Sequence, residues 1–263
     1  MKTGQNNKIF MAYNRFGYEW SKYSEMDPNY EEQFQKWVYP LTPSFFAGKK
    51  ILDAGCGMGR NSYWALKYGA GEVVAFDSDE RTVRSASNLI GKIRNAKVEL
   101  ASIFNIPYEN YFDLVFSIGV IHHLESPELA IKNMVKAAKP GAMVLIWVYG
   151  YEGNEWVERF VSPVRKLITS RINLTLLDYL TYFVSLPFFV FVKLAPMKNS
   201  YLQQLKRFKF KHIHSIIFDQ LLPQIAKYYK KNEAKNLLIE AGLKEIKIYR
   251  VNNNSWTVTG VKS

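Results

Sequence analysis

The chain has 263 residues, with 35 Lys and Arg against 23 Asp and Glu, a net charge of +12, 48% hydrophobic residues and 15% aromatics. That apolar content excludes a disordered chain, and its single cysteine excludes an intramolecular disulfide framework or a multi-thiolate zinc site. The length suits one domain of roughly 200 to 250 residues with elaborations.

In chain order, residues 1–48 come first and are rich in aromatics, among them Phe16, Tyr18, Trp20, Tyr30 and Trp37. They read as short helices and loops forming a cover. The opening MKTGQNNKIF lacks the apolar stretch of a secretory signal, so a cytoplasmic protein is expected. From 49 to 149, short runs rich in Val, Ile and Phe, at 50–54, 72–76, 96–100, 113–118 and 142–149, read as strands. Helical periodicity falls between them at 60–68, 80–93 and 126–139, the last opening on Ser126 as N-cap and Pro127 at the first helical position. Strands alternating with helices predict an α/β fold, a Rossmann-like doubly wound sheet that is mostly parallel.

Residues 150–231 break the rhythm and read as a helical lid inserted after the fifth strand. A helix at 232–241, capped by Gly242, and strands at 244–251 and 255–261 then resume it. The Asn252–Asn254 turn predicts an antiparallel hairpin at the C-terminal edge of the sheet. The expected plan is therefore a cover at 1–48, one cofactor domain made of 49–149 and 232–263, and a lid at 150–231. No repeat of 20 to 50 residues suggests a solenoid or propeller.

The segment ILDAGCGMGR, residues 51–60, is a buried strand, a loop with Gly55, Gly57 and Gly59, and a helix start. Three glycines at alternate positions let the backbone turn sharply and let a ligand lie against main-chain atoms at the positive end of a helix. A tight turn would need glycine regardless, but Asp77, at the end of the second strand and 22 residues after Gly55, stands where an open α/β fold sets a carboxylate against ribose hydroxyls. Together they describe an adenosine-containing cofactor. The spacing is G-x-G-x-G rather than the G-x-G-x-x-G of nicotinamide enzymes.

On these residues the chain resembles the class I S-adenosylmethionine-dependent methyltransferases, particularly the small-molecule group that includes quinone-biosynthesis enzymes. FDLVFSIGVIHHL, at 112–124, and AIKNMVKAAKPGAMVLIWVYG, at 130–150, extend the resemblance. It implies S-adenosyl-L-methionine as cofactor, with Asp53, Gly55, Gly57 and Gly59 around its methionine part. Asp77, followed by Ser78, would hold its ribose, with Ser117 at the end of the fourth strand nearby. Ser102, next to Ile103, stands where the family commonly has an adenine-binding Asp, so adenine selection would rest more on backbone groups.

Ligands in such sheets bind beyond the carboxyl ends of the strands, which makes His122 and His123 candidates for a base or positioning group. His212 and His214, in the lid, could also reach the site. The acceptor pocket is expected to use Tyr18, Trp20, Asp219, Tyr228 and Tyr229. Four histidines without carboxylates at ligand spacing give no metal site. The fourth strand ends in Ser117-Ile118-Gly119-Val120 and lacks the signature of base-amino methyltransferases. The one thiol, Cys56, lies in the cofactor loop, where it cannot serve covalent attack on cytosine.

The basic excess is concentrated: residues 151–235 hold 14 Lys and Arg against 6 Asp and Glu. They include YLTYFVSLPFFVFV, at 179–192, an uncharged run too short to span a membrane and better suited to a core or interfacial segment. A basic stretch follows it, so the lid could also make a peripheral contact with an anionic membrane. Aromatic and basic residues stand in separate blocks and are not interleaved as a nucleic-acid groove requires, so no nucleic-acid partner is expected. The expected activity is methylation of a small hydrophobic or phenolic metabolite. An RNA or protein methyltransferase using the basic insertion, or a non-catalytic cofactor-binding subunit, stands as the alternative, and the oligomeric state is open.

Overall fold

The computed structural model describes residues 15–196 and 200–263, so the first fourteen residues of the cover, and the leader reading made on them, lie outside the described residues. Helix α1, over 15–22, is followed by α2 (Tyr30–Val38) and the short α3 (Pro43–Phe46). Seven strands then form one sheet in the order β3-β2-β1-β4-β5-β7-β6. The strands are β1 (Lys50–Ala54), β2 (Glu72–Asp77), β3 (Ala96–Leu100), β4 (Phe112–Ile118), β5 (Ala138–Tyr149), β6 (Lys244–Val251) and β7 (Ser255–Val261). β1 to β5 pair in parallel; β7 runs antiparallel to both β5 and β6. The sheet is thus mostly parallel with an antiparallel C-terminal hairpin, the arrangement of a methyltransferase-type Rossmann-like fold. Asn252 and Asn253 take φ of 50° and 62° at its tip, a left-handed turn that Asn tolerates.

The central strands are buried on both faces, which is why they read as continuous apolar runs: Ile51, Leu52, Leu114, Val115 and Val144 are all inaccessible to solvent. Helices α4 (Arg60–Lys67), α5 (Glu80–Ile90), α6 (Pro127–Ala137) and α11 (Lys231–Glu240) flank the sheet. Ser126 occupies the N-cap of α6 but its side chain caps nothing, leaving Pro127 to start that helix. β5 begins before the 142 expected from composition, since Ala138 already pairs with Phe112 and the Lys139-Pro140-Gly141 segment passes through the strand.

Between β5 and α11 the chain forms a π-helical turn (Val157–Val161), α7 (Ser162–Leu167), α8 (Leu174–Leu194), α9 (Ser200–Arg207) and α10 (Phe210–Leu221). One expectation needs correction here. The apolar run at 179–192 belongs to a 21-residue helix, and Pro187 does not end it. Among the described residues α8 is the one helix long and apolar enough to cross a membrane by length and composition. Pro187 sits on its exposed side, where losing one amide donor leaves the packed stripe intact.

Candidate active site

A cavity of 410 Å³ runs along the carboxyl ends of the parallel strands. At one end Asp77 closes β2, its side chain half-buried against the loop that follows β1. Gly57 N–H donates to Asp77 Oδ2 at 3.1 Å and Asp79 N–H donates to Oδ1 at 3.2 Å, so strand end, glycine loop and α5 start are held by one carboxylate. Burial raises its pKa to about 6 against these stabilising amides. Each oxygen retains a lone pair for a further donor. Gly55 takes φ of +82°, and a Cβ there would lie 2.6 Å from Val120. Glycine at this position is thus required by conformation and by space. Ser78, Ser102 and Ile103 border the same end, and Ser102 Oγ accepts from Phe104 N–H at 3.2 Å, as an aspartate at a loop start would.

Three of the residues assigned to the cofactor lie behind this cradle instead of in it. Asp53 is fully buried and accepts from Ser62 Oγ at 2.6 Å; it ties β1 to α4, and burial raises its pKa to about 7. Ser117 is equally buried and donates to the Ala54 carbonyl at 2.7 Å, fastening β4 to β1. Gly59, at φ +85°, starts α4; a Cβ there would meet Ala86 of α5 at 3.2 Å, so it serves helix packing.

At the other end the cavity is walled by Phe16, Trp20, Tyr30, Tyr149, Trp156 and Tyr228, with Glu19 and Asp219 among them. Tyr149 and Tyr228 stack at 5.6 Å. Tyr149 O–H donates to Asp219 Oδ2 at 3.3 Å, and Ser215 O–H donates to Glu19 Oε1 at 2.9 Å. Glu19 is 1% exposed and, with both acids ionised, its Oε2 would have no donor. Its carboxyl faces that of Asp219; burial and the neighbouring carboxylate push its pKa well above the usual carboxylate value, and burial raises that of Asp219 too. Arg60, directly after the glycine loop, places its guanidinium 3.8 Å from the Tyr30 ring centroid and 5.1 Å from that of Trp20, and its charge acts on both acids.

Trp20, Asp219 and Tyr228 therefore meet at the cavity as expected from sequence, but Tyr18 and Tyr229 do not. Tyr18 packs on Phe218, and Tyr229 turns into the core, its carbonyl accepting from Trp256 Nε1 at 3.1 Å. His122 is wholly buried against Tyr149, with a ring-centroid distance of 3.8 Å and no partner for either nitrogen among the described residues; burial lowers its pKa well below the ordinary histidine value. His123 reaches the cavity wall, but its Nδ1 is engaged by the Ile225 carbonyl at 2.7 Å and burial lowers its pKa to about 4. Neither is a base matched to neutral pH. His212 and His214 stay in the lid, beside Asp27 and Asp178 respectively. Among the described residues no group of three or more His, Cys, Asp and Glu could hold a metal ion.

Sequence reading missed Glu19, Arg60 and Tyr149. Tyr149 had a signal, because it ends a parallel strand at the ligand-binding edge. A half-buried carboxylate for paired hydroxyls, backbone amides at a helix start, and a guanidinium with a carboxyl beyond them form a donor set that fits an elongated adenosine-bearing sulfonium cofactor.

Comparison with known proteins agrees. Residues 52–146 match the family described as Methyltransferase domain. A tRNA (carboxymethyluridine(34)-5-O)-methyltransferase from Arabidopsis thaliana is 29% identical over 171 residues, covering 57% of this chain and 40% of that protein. Norajmaline N-methyltransferase from Rauvolfia serpentina is 26% identical over 151 residues, covering 53% and 52%. The matches thus span about half or less of these relatives. Among solved structures, magnesium protoporphyrin IX methyltransferase from Synechocystis with bound S-adenosylhomocysteine superimposes with a TM-score of 0.56 at 13% identity, covering 93% of both chains. That likeness is one of fold.

Proposed function

Since residues 52–146 form a class I S-adenosylmethionine-dependent methyltransferase domain, we propose that the chain transfers a methyl group to a small hydrophobic or phenolic acceptor held at the aromatic end of the cavity. The observation that carries this reading is the continuity of one cavity from Asp77 and the glycine loop to Asp219, Tyr149 and Tyr228. The cofactor, when bound, supplies an electrophilic methyl on a sulfonium.

The chain's own residues then have two tasks. Asp77 accepts from the ribose hydroxyls while keeping its bonds to Gly57 and Asp79, and amides of the loop face the methionine part. The aromatic walls exclude water and hold a flat or apolar acceptor, which sets distance and alignment. Glu19 and Asp219, facing carboxyls whose pKa values are raised, take the proton that an O–H or N–H acceptor gives up. Burial raises the pKa of these carboxyls and lowers that of either histidine, which favours the acids for this role.

The relatives that act on tRNA favour a second reading, in which the acceptor is RNA and the basic insertion holds it. Incubating cell extract with the protein and deuterated-methyl cofactor, followed by mass spectrometry, separates the two: label in the small-molecule fraction supports the first, and label confined to RNA or protein overturns it. We also read the protein as cytoplasmic; its recovery in a secreted fraction would contradict that.

A further inference from the structure

Helix α8 is built inside out. Of the five residues it buries against the protein three are polar, Asp178, Thr181 and Ser185 at 0–1% exposed, beside Leu177 and Val192. Its opposite stripe, Leu176, Tyr179, Leu180, Phe183, Leu186, Val190 and Leu194, is 42–79% exposed. A solvated helix packed on a domain shows the reverse arrangement.

The polar stripe is fully engaged. Asp178 accepts from the Tyr23 hydroxyl at 2.6 Å, lies 3.1 Å from His214 Nε2 and pairs with Lys22. Ser185 Oγ lies 2.7 Å from His214 Nδ1. These bonds bind α8 to α1 and α10, so the helix lies on the protein and keeps its apolar side outward. Ahead of it, Trp156, Phe160, Val164 and Leu167 repeat at helical spacing and are 41–64% exposed. Apolar surface on this scale marks a contact site.

Charge selects the occupant. From Trp156 to Lys211 the sequence has ten Lys and Arg against two carboxylates, Glu158 and the inward-facing Asp178; of the cations Arg165 is buried, and Arg207 and Lys211 pair with Glu32 and Glu25. Arg159 and Lys166, within the first apolar stripe, and Arg171, just after it, are exposed, and none is in an ion pair among the described residues. A second copy of this chain would bring like charge against like charge; an anionic lipid surface would bring the opposite sign.

We propose that the outward face of α8, with the Trp156–Leu167 stripe, docks on an anionic lipid surface, α8 lying in the interface instead of crossing it. The apolar rings and aliphatic chains enter the headgroup boundary and the Lys and Arg side chains meet lipid phosphates. This stands independently of which acceptor is methylated, although Trp156 belongs both to the exposed stripe and to the cavity wall, so a docked protein would have its cavity beside the lipid.

The test is flotation of the full chain with vesicles of phosphatidylcholine alone and with about one-third phosphatidylglycerol. Binding is expected only to the anionic vesicles, falling steeply with salt. Leu180→Ser/Phe183→Ser/Val190→Ser should lower it about tenfold or more, as should Arg159→Glu/Lys166→Glu/Arg171→Glu. Both variants should keep wild-type circular dichroism and S-adenosylhomocysteine binding, which separates lost docking from lost folding. The proposal is overturned by no flotation at low salt, by face variants that bind as well as wild type, by a wild-type dimer that the serine variant dissociates without any vesicle binding, or by retention in vesicles after alkaline carbonate extraction.

Discussion

The sheet around the glycine loop and the helical insertion solve burial in opposite ways. In the first, Leu52, Val74, Val115 and Val144 fill the interior and polar groups gather at the strand ends, where Asp77 faces a cavity. In the second, Asp178, Ser185 and His214 are buried beside Leu177 and Phe218 in the seam between α8 and α10 while Phe183, Leu186 and Leu194 face outward. The same hydrophobic residues thus build a core in one region and a surface in the other. What decides is where the polar groups find partners: a buried carboxylate with several donors pins its helix face inward whatever the other side carries.

The contrast can be broken most severely at its polar seam. Asp178→Ala leaves Tyr23, His214 and Lys22 without their acceptor, and should destabilise the chain by about 3 kcal/mol in urea unfolding. The dependence on pH has a definite sign. Burial opposes ionisation of Asp178, but its donors prevail and hold its pKa below the usual carboxylate value. Its contribution is therefore present above about pH 4 and lost as pH falls through the folded value. If Asp178→Ala were as stable as wild type at pH 7, the seam would not be what orients α8.

At the cavity, Asp219→Asn keeps an acceptor for the Tyr149 hydroxyl but removes a carboxylate that can take a proton. It should lower kcat about 100-fold with little change in S-adenosylhomocysteine affinity, measured by single-turnover kinetics and calorimetry. An equal loss in both quantities would place the acid pair with the cofactor.

A smaller effect belongs to Asp53, the buried carboxyl of the sheet side. Its folded pKa of about 7 lies above the unfolded value, so its contribution is fully present below about pH 4 and is lost as pH rises toward 7. Asp53→Asn should therefore gain on wild type by about 1 to 3 kcal/mol between pH 4 and pH 8 in paired unfolding curves. A constant difference across that range would mean that Asp53 ionises freely.

The sheet domain was legible because its signals are local. A strand, a glycine loop and an acidic residue at the end of the next strand are contiguous in sequence, and the Asn252–Asn254 turn announced its hairpin. Within the site, legibility stopped at side-chain direction. Tyr228 and Tyr229 are adjacent on extended chain and point to opposite sides, so the first walls the cavity and the second fills the core. Asp53, Gly59 and Ser117 have the chemistry and spacing of cofactor ligands but their partners are Ser62, Ala86 and Ala54. Glu19 could not be recognised, because its meaning comes from Asp219, 200 residues away. In the insertion, a run of apolar residues reads as core, and only the partners of Asp178 reveal that it faces out.

The central claim, that Asp77 and the glycine loop hold S-adenosylmethionine, is tested most directly by calorimetric titration of the wild type and Asp77→Ala with S-adenosylhomocysteine. The expected result is one site per chain for the wild type and an affinity about 100-fold weaker for Asp77→Ala, since charged hydrogen bonds to two hydroxyls are lost. No heat of binding from a folded wild type, or equal affinity of the two proteins, would contradict it.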